Sequence, residues 1–163
     1  MDVELMDVPA FRVGVARADM SRPADAWSEF FAAEGAGALV GQPGVSALAI
    51  FPVTALMADD AEGAEQGEPP APPRYDAGVI VPEDIDMPGS LTELRVPAGR
   101  YACATYIGPV EGLSDAWGEF STDWLAESGE SLRHADCFEV YRSGPDTPPA
   151  EMRTNLFIPI AYK

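Results

Sequence analysis

The segment Val96-Pro97-Ala98-Gly99-Arg100-Tyr101-Ala102-Cys103-Ala104 restates Val8-Pro9-Ala10-Phe11-Arg12-Val13-Gly14-Val15-Ala16, 88 residues upstream. Asp25-Ala26-Trp27-Ser28-Glu29-Phe30 then returns as Asp115-Ala116-Trp117-Gly118-Glu119-Phe120, 90 residues on, so the second copy gains two residues in between. Two more pairs match in kind and order. Val45 to Val53 corresponds to Cys137 to Arg142, both short and β-rich. Val79-Ile80-Val81-Pro82 corresponds to Phe157-Ile158-Pro159-Ile160, both apolar runs interrupted by proline. Four matches in one order identify an internal duplication.

Each copy reads strand, helix, strand, strand. The runs at Val13 and Tyr101 are rich in β-branched and aromatic residues and start beside a proline, as strands do. In the second copy Val110, Leu113, Trp117, Phe120, Trp124 and Leu125 recur at three- and four-residue spacing, one face of a helix. Gly108-Pro109 precedes it and Ser128-Gly129 stops it. In the first copy Ser21 before Arg22-Pro23 reads as an N-cap. Trp27, Phe30 and Phe31 supply the apolar stripe, and Gly35-Ala36-Gly37 ends the helix.

The expected fold is therefore α+β. It has two βαββ modules, 1–87 and 88–163, in a single domain 1–163 with pseudo-twofold symmetry. Their sheets join edge to edge, which hides open edges. Both helices lie on one face, and the other face forms a central concave cleft. Residues 58–74 interrupt the pattern with Asp59-Asp60, Glu62, Glu65, Glu68 and Pro69-Pro70-Ala71-Pro72-Pro73. This is an acidic, Pro-rich connection inside the first copy, either a solvated loop or a lid. Gly144 to Pro149 occupies the equivalent place in the second.

The 163 residues are 47% hydrophobic, enough for a core, and carry 27 acidic against 10 basic side chains, a net charge of −17. Nine of the ten are arginine, and Lys163 is the one lysine. Nucleic acids and anionic membranes are recognised through Lys and Arg, so both are excluded as partners, while cationic or neutral ligands are favoured. The acidity also suits solubility alone. Met1-Asp2-Val3-Glu4 does not begin a signal peptide, and no apolar run is long enough to span a membrane. Cys103 and Cys137 lack CxxC spacing and read as buried reduced thiols of a cytoplasmic protein. His134 is the sole histidine, so no His-rich metal site or haem ligation is expected, and no cofactor.

The side chain that calls for explanation is Glu139 in Cys137-Phe138-Glu139-Val140-Tyr141, a carboxylate inside an apolar strand. Alternation puts Cys137, Glu139 and Tyr141 on one face and Phe138 and Val140 on the other. If Phe138 and Val140 pack under the helices, Glu139 points into the cleft beside Tyr141; otherwise it is a solvent-facing strand glutamate. A sequestered carboxylate attracts a cation, and Trp27, Trp117, Tyr106 and Tyr141 supply candidate aromatic walls. These aromatics suit core packing equally. Gly14, Ala16, Ala102, Ala104 and then Tyr106 share one strand parity, which leaves either an open groove or room for a helix.

The sequence resembles the GyrI-like small-molecule-binding family, which includes DNA gyrase inhibitor-like proteins and the effector-binding domains of AraC- and MerR-type multidrug-sensing regulators. The resemblance is carried by Tyr75-Asp76-Ala77-Gly78-Val79, Val96-Pro97-Ala98-Gly99-Arg100-Tyr101, Gly108-Pro109, Trp124-Leu125, Phe138-Glu139-Val140-Tyr141 and Leu156-Phe157-Ile158-Pro159-Ile160. It implies the paired-module fold and places Glu139 in a cleft that meets amphipathic, aromatic or cationic ligands. With no room for a helix-turn-helix before Val3, the chain resembles the stand-alone members. It further implies two alternatives. One is hydrolysis of strained cyclopropanoid electrophiles, with Glu139 as base or charge stabiliser and a pocket tyrosine, Tyr106, as acid. The other is inhibition of a topoisomerase, or partnership with a regulator.

Overall fold

The computed structural model describes residues 2–15, 28, 30–40, 45–52, 76–133, 135–143 and 147–162. Trp27, Ser21-Arg22-Pro23, the acidic connection 58–74 and His134 lie outside the described residues.

Among the described residues eight strands form one antiparallel sheet: β1 (Val3–Val8), β2 (Phe11–Val15), β3 (Ser46–Pro52), β4 (Asp76–Ile80), β5 (Thr92–Val96), β6 (Gly99–Ile107), β7 (Asp136–Tyr141) and β8 (Arg153–Pro159). Their order is β1-β6-β8-β7-β3-β4-β2-β5. Exchanging each strand with the one four places away in the chain reverses this order onto itself. A strand missing from the sequence reading, β1 or β5, precedes each expected first strand. Its alternation is weak: β1 is Val-Glu-Leu-Met-Asp-Val, and Leu5 is 46% exposed.

The extra strands exchange partners between the halves. β1 pairs with β6 from Val3↔Ala104 to Val8↔Gly99. β2 pairs with β5 from Phe11↔Val96 to Val15↔Thr92. The register is continuous, so residues 3–15 and 92–104 form one long ribbon. Pro9-Ala10 and Pro97-Ala98 face each other at its middle. Proline has no N–H to donate, so the ladder lapses there and the ribbon bends from one end of the sheet to the other. The repeated Val-Pro-Ala is this crossing point.

The ribbon pulls the sheet into a curl. Phe11 reaches Phe138 with ring centroids 5.2 Å apart, although β4 and β3 lie between their strands. Phe138 also stacks on Phe157 at 4.5 Å and meets Tyr101 edge-on at 5.2 Å. Val13, Val15, Leu48, Ile50, Val96 and Val140 complete this inner core. Phe138 and Val140 are each 2% exposed.

Helical segments cover the outer face. Ser28 and Phe30–Ala32 are helical, a turn follows with Gly35 at φ 87°, and helix α1 (Ala36–Val40) comes next. Gly35 alone therefore ends the first helix, and Ala36 and Gly37 begin another. Phe30, Ala36 and Leu39 pack with Val79 and Leu91. In the second half a 3-10 turn (Val110–Gly112), helix α2 (Leu113–Gly118), a π segment (Glu119–Trp124) and helix α3 (Leu125–Ser128) follow without interruption. The π segment widens the spacing along the apolar stripe, yet Trp117, Phe120 and Trp124 still form a ring column. Gly129 closes the helix in the left-handed region, φ 75°.

Two expectations about the faces are corrected. The helix-free side is not one central cleft: the bent ribbon folds over it and its aromatics fill the middle, leaving a hollow of about 450 Å³ toward Thr105 and Arg153 that Glu139 does not line. The helices do not sit on Phe138 and Val140. They sit on the opposite face, where Leu113, Ala116, Trp117 and Phe120 pack against Ala102, Ala104, Cys137, Leu156 and Ile158. The small residues on this parity thus admit a closely docked helix, and at Gly14 the space is taken by Met87 and Leu91. No helix among the described residues is long and apolar enough to cross a membrane.

Candidate functional site

Glu139 lies at the middle of the sheet, on the face that carries the helices. Its cross-strand neighbours are Ala49 on β3 and Leu156 on β8. Ala49 is completely buried and leaves room beside the carboxylate. Glu139 itself is 6% exposed.

Both carboxylate oxygens accept hydrogen bonds. The Trp117 indole Nε1–H donates to Oε2 at 2.9 Å. The Tyr141 hydroxyl donates to Oε1 at 2.7 Å. Helix α2 positions the first donor, because Leu113, Ala116 and Trp117 form its buried stripe. Strand alternation positions the second, two residues along β7. Phe51 from β3 meets the Trp117 ring edge-on, with centroids 5.0 Å apart. An indole and a phenol thus hold one carboxylate, with a phenyl ring against the indole.

The electrostatics follow from burial. Desolvation pushes the Glu139 pKa above the ordinary carboxylate value, and the bonds from Trp117 and Tyr141 pull it partly back. Both donors are neutral. No basic side chain among the described residues makes an ion pair with Glu139. The charge is held by dipoles alone, so its field remains available to a positive group. Cys137, two residues before it, is a fully buried thiol whose pKa is raised by burial.

Of the candidate residues, Glu139, Trp117 and Tyr141 come together. Tyr106 does not join them. It shares their face, but its hydroxyl donates to the Pro109 carbonyl at 2.8 Å and lies over Gly112. The phenol on Glu139 is that of Tyr141. Trp27 is outside the described residues. Nothing local in the sequence points to Phe51 and Ala49, because only the β3–β7 pairing brings them to this part of the sheet. Their strand, Ser46-Ala47-Leu48-Ala49-Ile50-Phe51, carries the alternation that puts Ala47, Ala49 and Phe51 on one face. Two hollows of about 450 and 400 Å³ are found among the described residues, and Glu139 lines neither. Among those residues there is also no group of three His, Cys, Asp or Glu side chains that would hold a metal.

A family model described as the GyrI-like small molecule binding domain matches residues 52–161. No curated protein matches the chain. SAV2435 bound to tetraphenylphosphonium is similar with a TM-score of 0.67 at 16% identity, over 99% of this chain and 94% of that one. The C-terminal domain of EcmrR gives 0.65 at 16%, over 98% and 97%. A hydrolase from Listeria innocua gives 0.55 at 14%, over 98% and 91%. At such identities the likeness is one of fold.

Proposed function

Because the chain belongs to the GyrI-like small-molecule-binding family, we propose that it binds amphipathic organic cations on the helix side of the sheet, over Glu139. The carrying observation is a carboxylate 6% exposed whose described partners are two neutral donors, Trp117 and Tyr141. A buried charge is unfavourable until a counter-charge arrives. A lipophilic cation supplies that counter-charge, with hydrocarbon to rest on the rings of Phe51, Trp117 and Tyr141. Coulomb attraction at 4 Å and an effective dielectric near 20 is about 4 kcal/mol. Each aromatic face adds about 0.5–2 kcal/mol. Tetraphenylphosphonium, named with the similar SAV2435, is a molecule of this class.

The test is calorimetric titration at pH 8 with tetraphenylphosphonium and with triphenylphosphine oxide, its uncharged relative. Saturable binding of the cation, with the oxide at least tenfold weaker, is expected. Equal affinity for the two, or no binding of the cation, rejects the reading.

One observation favours a second reading. A carboxyl whose pKa is raised, with a phenol at 2.7 Å, is a general acid–base pair for hydrolysing a strained electrophile, such as a cyclopropanoid. In that reading Tyr141 takes the acid role assigned to Tyr106. Turnover of such a compound that disappears in Glu139→Gln while binding survives supports it. Stoichiometric capture without product rejects it.

A further inference from the structure

The hollow of about 450 Å³ lies on the face opposite Glu139, at the end of the curl away from the ribbon's proline bend. It is lined from four adjacent strands and their ends: Asp2 and Glu4 beside and on β1, Thr105 and Cys103 on β6, Arg153 and Asn155 on β8, and Arg142 just after β7. Met6 and Phe157 add apolar floor.

Its charges are sorted. Arg142 and Arg153 are adjacent, joined through the backbone bond from Arg142 N–H to the Arg153 carbonyl. Asp2 and Glu4 stand at the far edge. Neither arginine makes an ion pair among the described residues, in a chain where acidic residues outnumber basic ones 27 to 10. The other described arginines are engaged: Arg12, Arg95 and Arg100 with glutamates, and Arg133 over the rings of Tyr101 and Tyr162. The polar floor is ordered. Arg142 Nε donates to Asn155 Oδ1 at 2.7 Å, and Asn155 Nδ2 donates to Thr105 Oγ1 at 3.0 Å. Arg142 is thereby oriented through Nε, and its terminal amino groups make no hydrogen bond among the described residues. Cys103, between the two walls, feels both signs: Arg142 lowers its thiol pKa and Glu4 raises it, beneath a larger rise from burial.

We propose that this hollow is a second binding site, for a dipolar molecule with a carboxylate at Arg142 and Arg153, an amine at Asp2 and Glu4, and an apolar middle over Met6, Cys103 and Phe157. A carboxylate is met by two guanidinium groups whose fork geometry suits it. The volume falls in the range of small-molecule sites, and the mouth of a curled sheet is a common place for one. The charged walls stand two to three strand spacings apart, about 10–14 Å at the backbone before side chains reach inward. A linear chain of several carbons between the charged ends fits that separation.

The test is titration of the labelled protein, followed by backbone amide shifts, with 6-aminohexanoate, hexanoate and hexylamine. The amino acid shifts Cys103, Thr105 and Asn155 saturably, and the two one-ended compounds bind at least tenfold more weakly. Arg153→Gln and Glu4→Gln, both at exposed positions, each weaken the amino acid about tenfold, while tetraphenylphosphonium binding is unchanged. No saturable shift at those residues, equal binding of hexanoate, or indifference to both substitutions overturns the proposal. The unchanged cation titration separates its failure from failure at Glu139.

Discussion

Replacing Glu139 with glutamine moves affinity and stability in opposite directions. The substitution keeps the shape and a carbonyl oxygen for Trp117 or Tyr141 but removes the charge. For a cation about 4 Å away the lost attraction is about 4 kcal/mol, roughly a thousandfold in affinity. The free protein behaves otherwise. Burial raises the Glu139 pKa, so the folded chain holds this proton more firmly than the unfolded chain does. The group's contribution to stability is fully present below its unfolded pKa. It declines as pH rises through the folded value. Glutamine never ionises, so the variant escapes that decline. The assay is urea unfolding of both proteins from about pH 4 to 8, with tetraphenylphosphonium titrations at the same points. The two proteins should come closest at the acid end, where Glu139 is mostly neutral in both states. The variant should be the more stable at pH 8, where its cation binding is lost. Wild-type affinity should rise with pH as the carboxylate ionises. A variant that is less stable at pH 8 yet binds as wild type does would refute the reasoning.

Three further outcomes are expected. Phe138→Ala removes the ring that joins Phe11, Tyr101 and Phe157 and should lower unfolding free energy by about 3–5 kcal/mol in denaturant titrations; a loss below 1 kcal/mol would contradict the inner core. Gly129→Ala meets no atom within 4 Å but must hold φ 75°, so it should cost about 1 kcal/mol in the same assay, and no cost would deny the left-handed cap. Tyr141→Phe should weaken binding or turnover at Glu139 and change its pH profile. Tyr106→Phe, whose hydroxyl serves the Pro109 carbonyl, should leave both within twofold; the reverse pattern would return the site to Tyr106.

The sequence was legible where local pattern and tertiary need agree. Cys137 to Tyr141 is a short, apolar, β-prone run with one carboxylate at its centre, so the strand and the parity of Glu139 could be read from it. Gly129 and the spacing from Leu113 to Trp124 marked the helix and its stop. What stayed hidden depends on strands far apart in the chain. The side of the sheet that Phe138 chooses is set by Phe11 and Tyr101, which reach it through the bent ribbon. β1 escaped because an edge strand with Glu4 and Asp7 on it has no need to alternate in apolar residues. Tyr106 stands on the right parity as a candidate aromatic, but the turn at Gly108-Pro109 curls back and claims its hydroxyl. Phe51 became visible only once β3 lay against β7.

The ribbon also orders events in time. The amino-terminal strand leaves the ribosome about a hundred residues before its partner: Val3 waits for Ala104. Until then its backbone has no mate, and closing so long a loop is slow. A chain nicked between residues 87 and 88 would give two fragments that each lend a strand to the other, so neither should be expected to fold unaided, while the mixture should reassemble.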